Sequence, residues 1–211
     1  MANNLTSKAV LSSIPEMTRK DVVIEKRDVV FQGFFRMELL TIRHRCFSSG
    51  SFSLEPSSSA IHDSANPVTS DQWMGPFTRE LFERGEAVCV LLFDPKRNCV
   101  VLTEQFRMGA LEDDRSPWLL EVVAGMVEPN ESYQDVATRE CQEEAGCTPS
   151  TLLPICHYWV SPGGTNERVM LYCGLVDSAG LDGVHGLPEE HEDIRLVTLS
   201  CEDAFQAVTD G

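Results

Sequence analysis

Basic residues are scarce in this chain: 17 Lys and Arg stand against 33 Asp and Glu, a formal net charge of −16 over 211 residues. A surface of that sign repels a polyanion, which excludes direct electrostatic binding of nucleic acid and means that an anionic substrate has to be reached through metal cations. Long apolar runs are also missing. None approaches the ~20 residues of a membrane span, and the leading MANNLTSKAVLSSIPEM lacks the continuous apolar centre of a secretory signal. The expectation is a cytoplasmic protein without nucleic-acid or membrane partners. The eight cysteines contain no CxxC pair, and several sit in apolar surroundings such as Ala87-Val88-Cys89-Val90-Leu91, so they read as reduced core thiols. There is no internal repeat.

What is present is an ordinary globular composition, 42% hydrophobic and 24% charged, enough for one or two domains. Residues 1–20 have no clear period and read as a mobile leader. From Asp21 to Phe47 β-branched and aromatic residues recur around Gly33, which predicts several strands, and 48–71, rich in serine with Pro56 and Pro67, reads as a long loop. Strands resume with TRELFERG, EAVCVLLFD and NCVVLTEQF, the last two joined by an Asp94-Pro95-Lys96-Arg97-Asn98 turn, and WLLEVVAGMV delivers the chain to its most informative stretch. Beyond that, LLPICHYWV and VMLYCGLV are strands around SPGGTNER, Leu181 to Asp193 is an acidic loop, and IRLVTLS leads to a short helix capped by Ser200. Strands around one central helix make an α+β arrangement.

The central stretch is GMVEPNESYQDVATRECQEEAGC, Gly125 to Cys147. Asp135 to Ala145 contains no Gly or Pro, Asn130 and Ser132 offer capping oxygens, and Gly146 can end a helix in the left-handed region. On that helix Glu140, Glu143 and Glu144 share one side at i, i+3 and i+4, while Ala137, Cys141 and Ala145 form an adjoining apolar stripe. Three like charges so close repel one another, and a divalent cation offsets that cost. Oxygen donors favour Mg²⁺, with Mn²⁺ as the alternative. A solvated acidic helix face is the bland explanation. The wider spacing argues against it: Gly125, five residues, Glu131, seven residues, Arg139-Glu140, then Glu143-Glu144 and Gly146.

This pattern resembles the Nudix box at every charged and glycine position, with Cys141 and Cys147 where the family usually carries aliphatic residues. Beyond the box, from about Phe31 to Asp210, the chain is similar to the ADP-ribose pyrophosphatase branch of the Nudix hydrolases. The stretches Gln32-Gly33-Phe34-Phe35, Phe82-Glu83-Arg84-Gly85, Glu104-Gln105-Phe106-Arg107, Pro117-Trp118-Leu119-Leu120-Glu121 and Ser161-Pro162-Gly163-Gly164-Thr165 carry the likeness. Pro162, fifteen residues beyond Cys147, stands where this branch typically has a proline.

The resemblance implies an α/β/α sandwich catalytic domain over 86–211, preceded by a β-rich N-terminal domain over 21–85 that forms a homodimer and completes the partner's site. It implies metal ligands at Glu140 and Glu144 with the carbonyl of Ala124, support from Glu143, a further metal contact at Glu192, and a catalytic base at Glu190. Arg139 and Glu131 would orient the glutamates. Arg107, Glu167 and Ser161 would hold the phosphates and terminal ribose of a nucleotide-sugar, and Phe34 with Arg79 would sandwich adenine. The implied activity is Mg²⁺-dependent hydrolysis of ADP-ribose to AMP and ribose 5-phosphate. The alternatives are another ADP-sugar or dinucleotide as substrate, or a nucleotide-binding module without hydrolysis.

Overall fold

The computed structural model describes residues 17–47 and 73–210. The serine-rich loop and most of the expected leader fall outside the described residues. At the end of that leader segment, Thr18 and Asp21 form a capping box: the Thr18 hydroxyl accepts from Lys20 N–H, and Asp21 accepts from Thr18 N–H at 2.9 Å. The chain divides into two compact units, Met1–Phe82 and Glu83–Gly211.

The first unit is a three-stranded sheet in the order β1-β2-β3, from β1 (Val22–Gln32), β2 (Arg36–Arg45) and β3 (Trp73–Glu83). β1 and β2 pair antiparallel across the turn at Gly33, with two register shifts. The turn leaves Phe34 87% exposed.

The second unit is built on a mixed sheet. Its strands are β4 (Glu86–Asp94), β5 (Cys99–Phe106), β6 (Trp118–Glu121), β7 (Val123–Met126), β8 (Thr151–Trp159), β9 (Arg168–Leu175), β10 (Val184–His185) and β11 (Ile194–Ser200). The order is β10-β11-β5-β4-β9-β8, with β6 added to β5 and β7 to β4. β4 and β9 run parallel, and the other strand pairs of this sheet are antiparallel. The two-residue period of β4 turns Val88, Val90 and Leu92 to one face, where they are fully buried with Val101 and Val123. Helix α1 (Tyr133–Ala145) closes that core with Val136, Ala137, Cys141 and Ala145. Each such side chain contributes about 1.5–3 kcal/mol when fully buried if it is the size of Val or Leu.

The hairpin turn between β4 and β5 is clamped by Asp94, which is fully buried. Its carboxylate accepts from the N–H groups of Lys96, Arg97 and Ser178, from the Ser178 hydroxyl at 2.7 Å and from Arg97 Nη1 at 2.8 Å. Beyond the turn the two strands part: they pair directly only from Leu92–Val101 to Asp94–Cys99. Each edge then needs another partner for its N–H and C=O groups, and the stretch WLLEVVAGMV supplies both. It breaks at Val122, giving β6 to β5 and β7 to β4. The splay between β4 and β5 is where the candidate site is assembled.

Helix α2 (Cys201–Asp210) is capped as expected, the Ser200 hydroxyl accepting from Asp203 N–H at 3.0 Å, but it buries none of its residues. All the described cysteines are free, as expected, although Cys156 is exposed rather than in the core. No helix among the described residues is long and apolar enough to cross a membrane.

Candidate active site

The central stretch folds as its residue types require. Ser132 caps α1, its hydroxyl accepting from Asp135 N–H at 3.2 Å. Gly146 ends the helix at φ 62°, returning its N–H to the carbonyls of Cys141 and Gln142. A Cβ there would also meet the His185 ring at 2.8 Å. Gly125, on β7, lies directly against Glu140, and a Cβ on it would stand 1.8 Å from Oε1. That contact explains a glycine opposite a glutamate fifteen positions later, which no local spacing reveals.

The three box glutamates differ in setting. Glu144 is 3% exposed, and its Oε2 accepts from Ala124 N–H at 3.0 Å. A strand residue directs its N–H and C=O to the same edge, so the Ala124 carbonyl faces the same side as this carboxylate. Burial pushes the carboxyl of Glu144 up to about 7, against the stabilising Ala124 hydrogen bond. Burial likewise raises Glu140 to about 7, opposed by Arg139. Arg139 reaches three acids: Glu140 at 2.9 Å, Glu143 at 3.0 Å and Glu131 at 3.9 Å. Glu131 in turn accepts from Glu128 N–H at 2.9 Å, which ties the start of the box to the helix.

The acidic loop is fastened to the same helix. Gly186 donates its N–H to the Glu143 carbonyl at 3.2 Å, and Gly186 is required both by φ 100° and by Glu192, whose Cβ would lie 2.6 Å from an added methyl. Glu192 Oε2 accepts from Leu187 N–H at 3.0 Å, and its charge raises both Glu140 and Glu144. Glu190 ends a single 3-10 turn, Pro188–Glu190, with its side chain exposed and its N–H on the Leu187 carbonyl at 2.9 Å. The structure thus brings Glu192 into the electrostatic field of the box and leaves Glu190 on the rim of the loop.

Two arginine–carboxylate pairs stand on the β4 and β5 sides. Glu121 Oε2 accepts from Arg107 Nε at 2.8 Å and pairs with Nη2 at 2.7 Å. Glu167 Oε1 accepts from Arg84 Nε at 2.9 Å, and Asn166 Oδ1 accepts from the N–H groups of Arg84 and Gly85. Behind the dominant effect of burial, the charges of Glu121, Glu144 and Glu167 raise the Cys89 thiol on β4 and that of Arg107 lowers it. Burial and those acids push that thiol up to about 11. Ser161 opens the β8–β9 turn, its carbonyl accepting from Gly164 and Thr165. Glu121, Arg84 and Asn166 were not among the expected site residues. Arg84 and Glu121 lie in stretches that carry the family likeness, but their pairing is not local: Arg84 meets Glu167 83 positions away and Glu121 meets Arg107 14 positions away.

In the first unit, the guanidinium of Arg79 lies 4.5 Å above the Phe77 ring, and Phe34 meets Phe35 edge to face at 4.7 Å. Among the described residues Phe34 and Arg79 share no ring contact.

Glu140, Glu143, Glu144 and the Ala124 carbonyl offer oxygen donors only, which fits a hard divalent cation such as Mg²⁺ or Mn²⁺. The room left by Gly125 beside Glu140 also fits, because a side chain there would displace a donor. As the side chains stand, Glu140 and Glu143 turn to Arg139, and among the described residues no three acidic, His or Cys groups converge closely enough to grip an ion. For Glu140 to ligate a cation, its carboxylate would have to leave Arg139.

The NUDIX domain model matches residues 83–208. The ADP-ribose pyrophosphatase of Escherichia coli (strain K12) is 42% identical over 193 residues, covering 92% of this chain and 82% of that protein. The ADP-ribose pyrophosphatase of Haemophilus influenzae is 38% identical over 204 residues, covering 95% and 84%. A crystal structure described as an ADP compounds hydrolase superposes with a TM-score of 0.61 at 14% identity, over 92% of this chain and 86% of that one.

Proposed function

The chain belongs to the Nudix family, and on that premise we propose that it is a divalent-metal-dependent hydrolase that splits the diphosphate of ADP-ribose with water, giving AMP and ribose 5-phosphate. What carries this function is Glu144: a carboxylate buried to 3% exposure beside Glu140, the Ala124 backbone and the Gly125 gap, in a protein that matches ADP-ribose pyrophosphatases over nearly its whole length. A buried Glu144 beside a mostly buried Glu140 is costly with no metal function, since desolvation disfavours the charge of each.

In this proposal Glu140, Glu144 and the Ala124 carbonyl hold the ion, with Glu143 and Glu192 in support. The bound cation neutralises diphosphate charge and makes water more acidic. Arg139 orients the glutamates through its three ion pairs. Arg107 binds phosphate oxygens, and Glu167, fixed by Arg84 at 2.9 Å, and Ser161 hold the terminal ribose. Glu190 takes the proton of the attacking water, and its exposed place on a one-turn helix within the loop lets it approach when the loop closes. Phe34, exposed at the β1–β2 turn, and Arg79 hold adenine, the first unit serving as a homodimer surface that completes the partner's site.

The test is a panel of ADP-ribose, other ADP-sugars and dinucleotides incubated with Mg²⁺ or Mn²⁺, followed by phosphatase treatment and detection of released phosphate. The expected result is fastest turnover with ADP-ribose, dependence on the cation, and AMP with ribose 5-phosphate by chromatography. No turnover of any compound at saturating cation would refute hydrolysis and leave a binding module.

A further inference from the structure

The Arg107 guanidinium is held by a residue outside the Nudix box. Glu121 is the last residue of β6, opposite Thr103 of β5, and Arg107 directly follows β5. Both ends are pinned: Arg107 N–H donates to the Pro117 carbonyl at 2.8 Å, and the Glu121 carbonyl accepts from the Thr103 hydroxyl at 3.3 Å. Across that short ladder Glu121 Oε2 takes Nε at 2.8 Å and Nη2 at 2.7 Å. A guanidinium carries five N–H donors in a rigid plane, so a carboxylate that holds one edge fixes the direction of the other.

We infer that Glu121 is a positioning residue that grips the Nε–Nη2 edge of Arg107 and thereby presents its Nη1 edge to the diphosphate of the substrate. The inference rests on the proposed diphosphate hydrolysis and deepens it. The Arg107 side chain is 41% exposed, and among the described residues Glu121 is its ion-pair partner. An ordinary exposed ion pair is worth little. The difference expected here comes from orientation, and a structural role would not reproduce it.

The experiment is a double-mutant cycle on the full chain: wild type, Glu121→Ala, Arg107→Ala and the double variant, with Glu121→Gln as the conservative control. Each is assayed for ADP-ribose turnover at saturating Mg²⁺ and, separately, for binding of ADP by calorimetry, with melting temperatures measured alongside. Glu121→Ala is expected to lower kcat/KM by ~10–100-fold, the scale of a charge-assisted hydrogen-bonded pair, mainly through KM. Glu121→Gln, which keeps an acceptor at the same reach, should recover part of the loss. In the Arg107→Ala background the Glu121 substitution should add less than a factor of ~2, because coupled residues are not additive. Losses that multiply in the double variant overturn the inference, as does a Glu121→Ala enzyme within ~3-fold of wild type. A wild-type protein that binds ADP with the same coupling but does not turn over ADP-ribose removes the proposed function and keeps the positioning role. One that neither binds ADP nor turns over ADP-ribose removes both.

Discussion

Replacing Gly125 by Ala puts a methyl carbon where the Glu140 carboxylate now stands. The added Cβ would lie 1.8 Å from Oε1, 2.1 Å from Cδ and 2.4 Å from Cγ. An ordinary carbon contact is about 3.5 Å, so Oε1, now 1.8 Å away, has to retreat by roughly 1.7 Å. Metal–oxygen bonds are about 2.1 Å for Mg²⁺ and tolerate little distortion. A misplacement of ~1 Å already costs ~100-fold in rate, so kcat/KM should fall by ~10²-fold or more. Stability should change much less. Gly125 does not occupy the left-handed region, so alanine suits its backbone, and the atoms in the way belong to a flexible side chain rather than to backbone. Overpacking costs ~1–3 kcal/mol at most, which corresponds to a drop in melting temperature of up to about 10 °C. Initial rates of ADP-ribose hydrolysis across a Mg²⁺ titration, with thermal melts of both proteins, measure the two effects. An alanine variant with kcat/KM within ~3-fold of wild type would show that Glu140 is not held against Gly125 for ligation.

Glu144→Gln should lower turnover by several orders of magnitude at limiting Mg²⁺ while the melting temperature is retained or rises; near-normal turnover there removes Glu144 as a ligand. Glu190→Gln should reduce kcat by ~10²–10⁴-fold with substrate affinity far less changed, whereas Glu189→Gln should do little; a larger loss in His191→Asn would transfer the base to that residue. The carboxyls of Glu140 and Glu144 are raised to about 7 by burial, above their ordinary 4.5. Stability tied to their protonated forms is therefore fully present below about 4.5 and lost as pH rises through about 7. Melts in EDTA should fall across that window, less so in Glu144→Gln, and added Mg²⁺ should raise the melting temperature more at pH 8 than at pH 5; an equal metal effect at both pH values contradicts this. Gly146→Ala places a side chain at φ 62° and against His185, and should cost ~1–2 kcal/mol in denaturant unfolding with the slope unchanged.

Local chemistry was enough to determine α1 and its carboxylates. A capping Ser132, a glycine-free run, a terminal Gly146 and glutamates at i, i+3 and i+4 all lie within one helical window, and they fold there as expected. The same holds for β4, β5 and the Asp94 turn, where alternating valines and a turn sequence lie side by side. Tertiary structure decided what no window contains. The break of WLLEVVAGMV at Val122 follows from the parting of β4 and β5, whose edges need partners supplied from elsewhere. Arg84 finds Glu167 83 positions away, and Asp94 finds Ser178 84 positions away. Arg107 meets Glu121 only because β6 turns back along β5. Charged groups at strand ends can pair with many others, and the sheet's register selects one. The same register sets Gly125 beneath Glu140, so the spacing of the box was legible in the chain while the reason for its first glycine became visible only when β7 was laid against the helix.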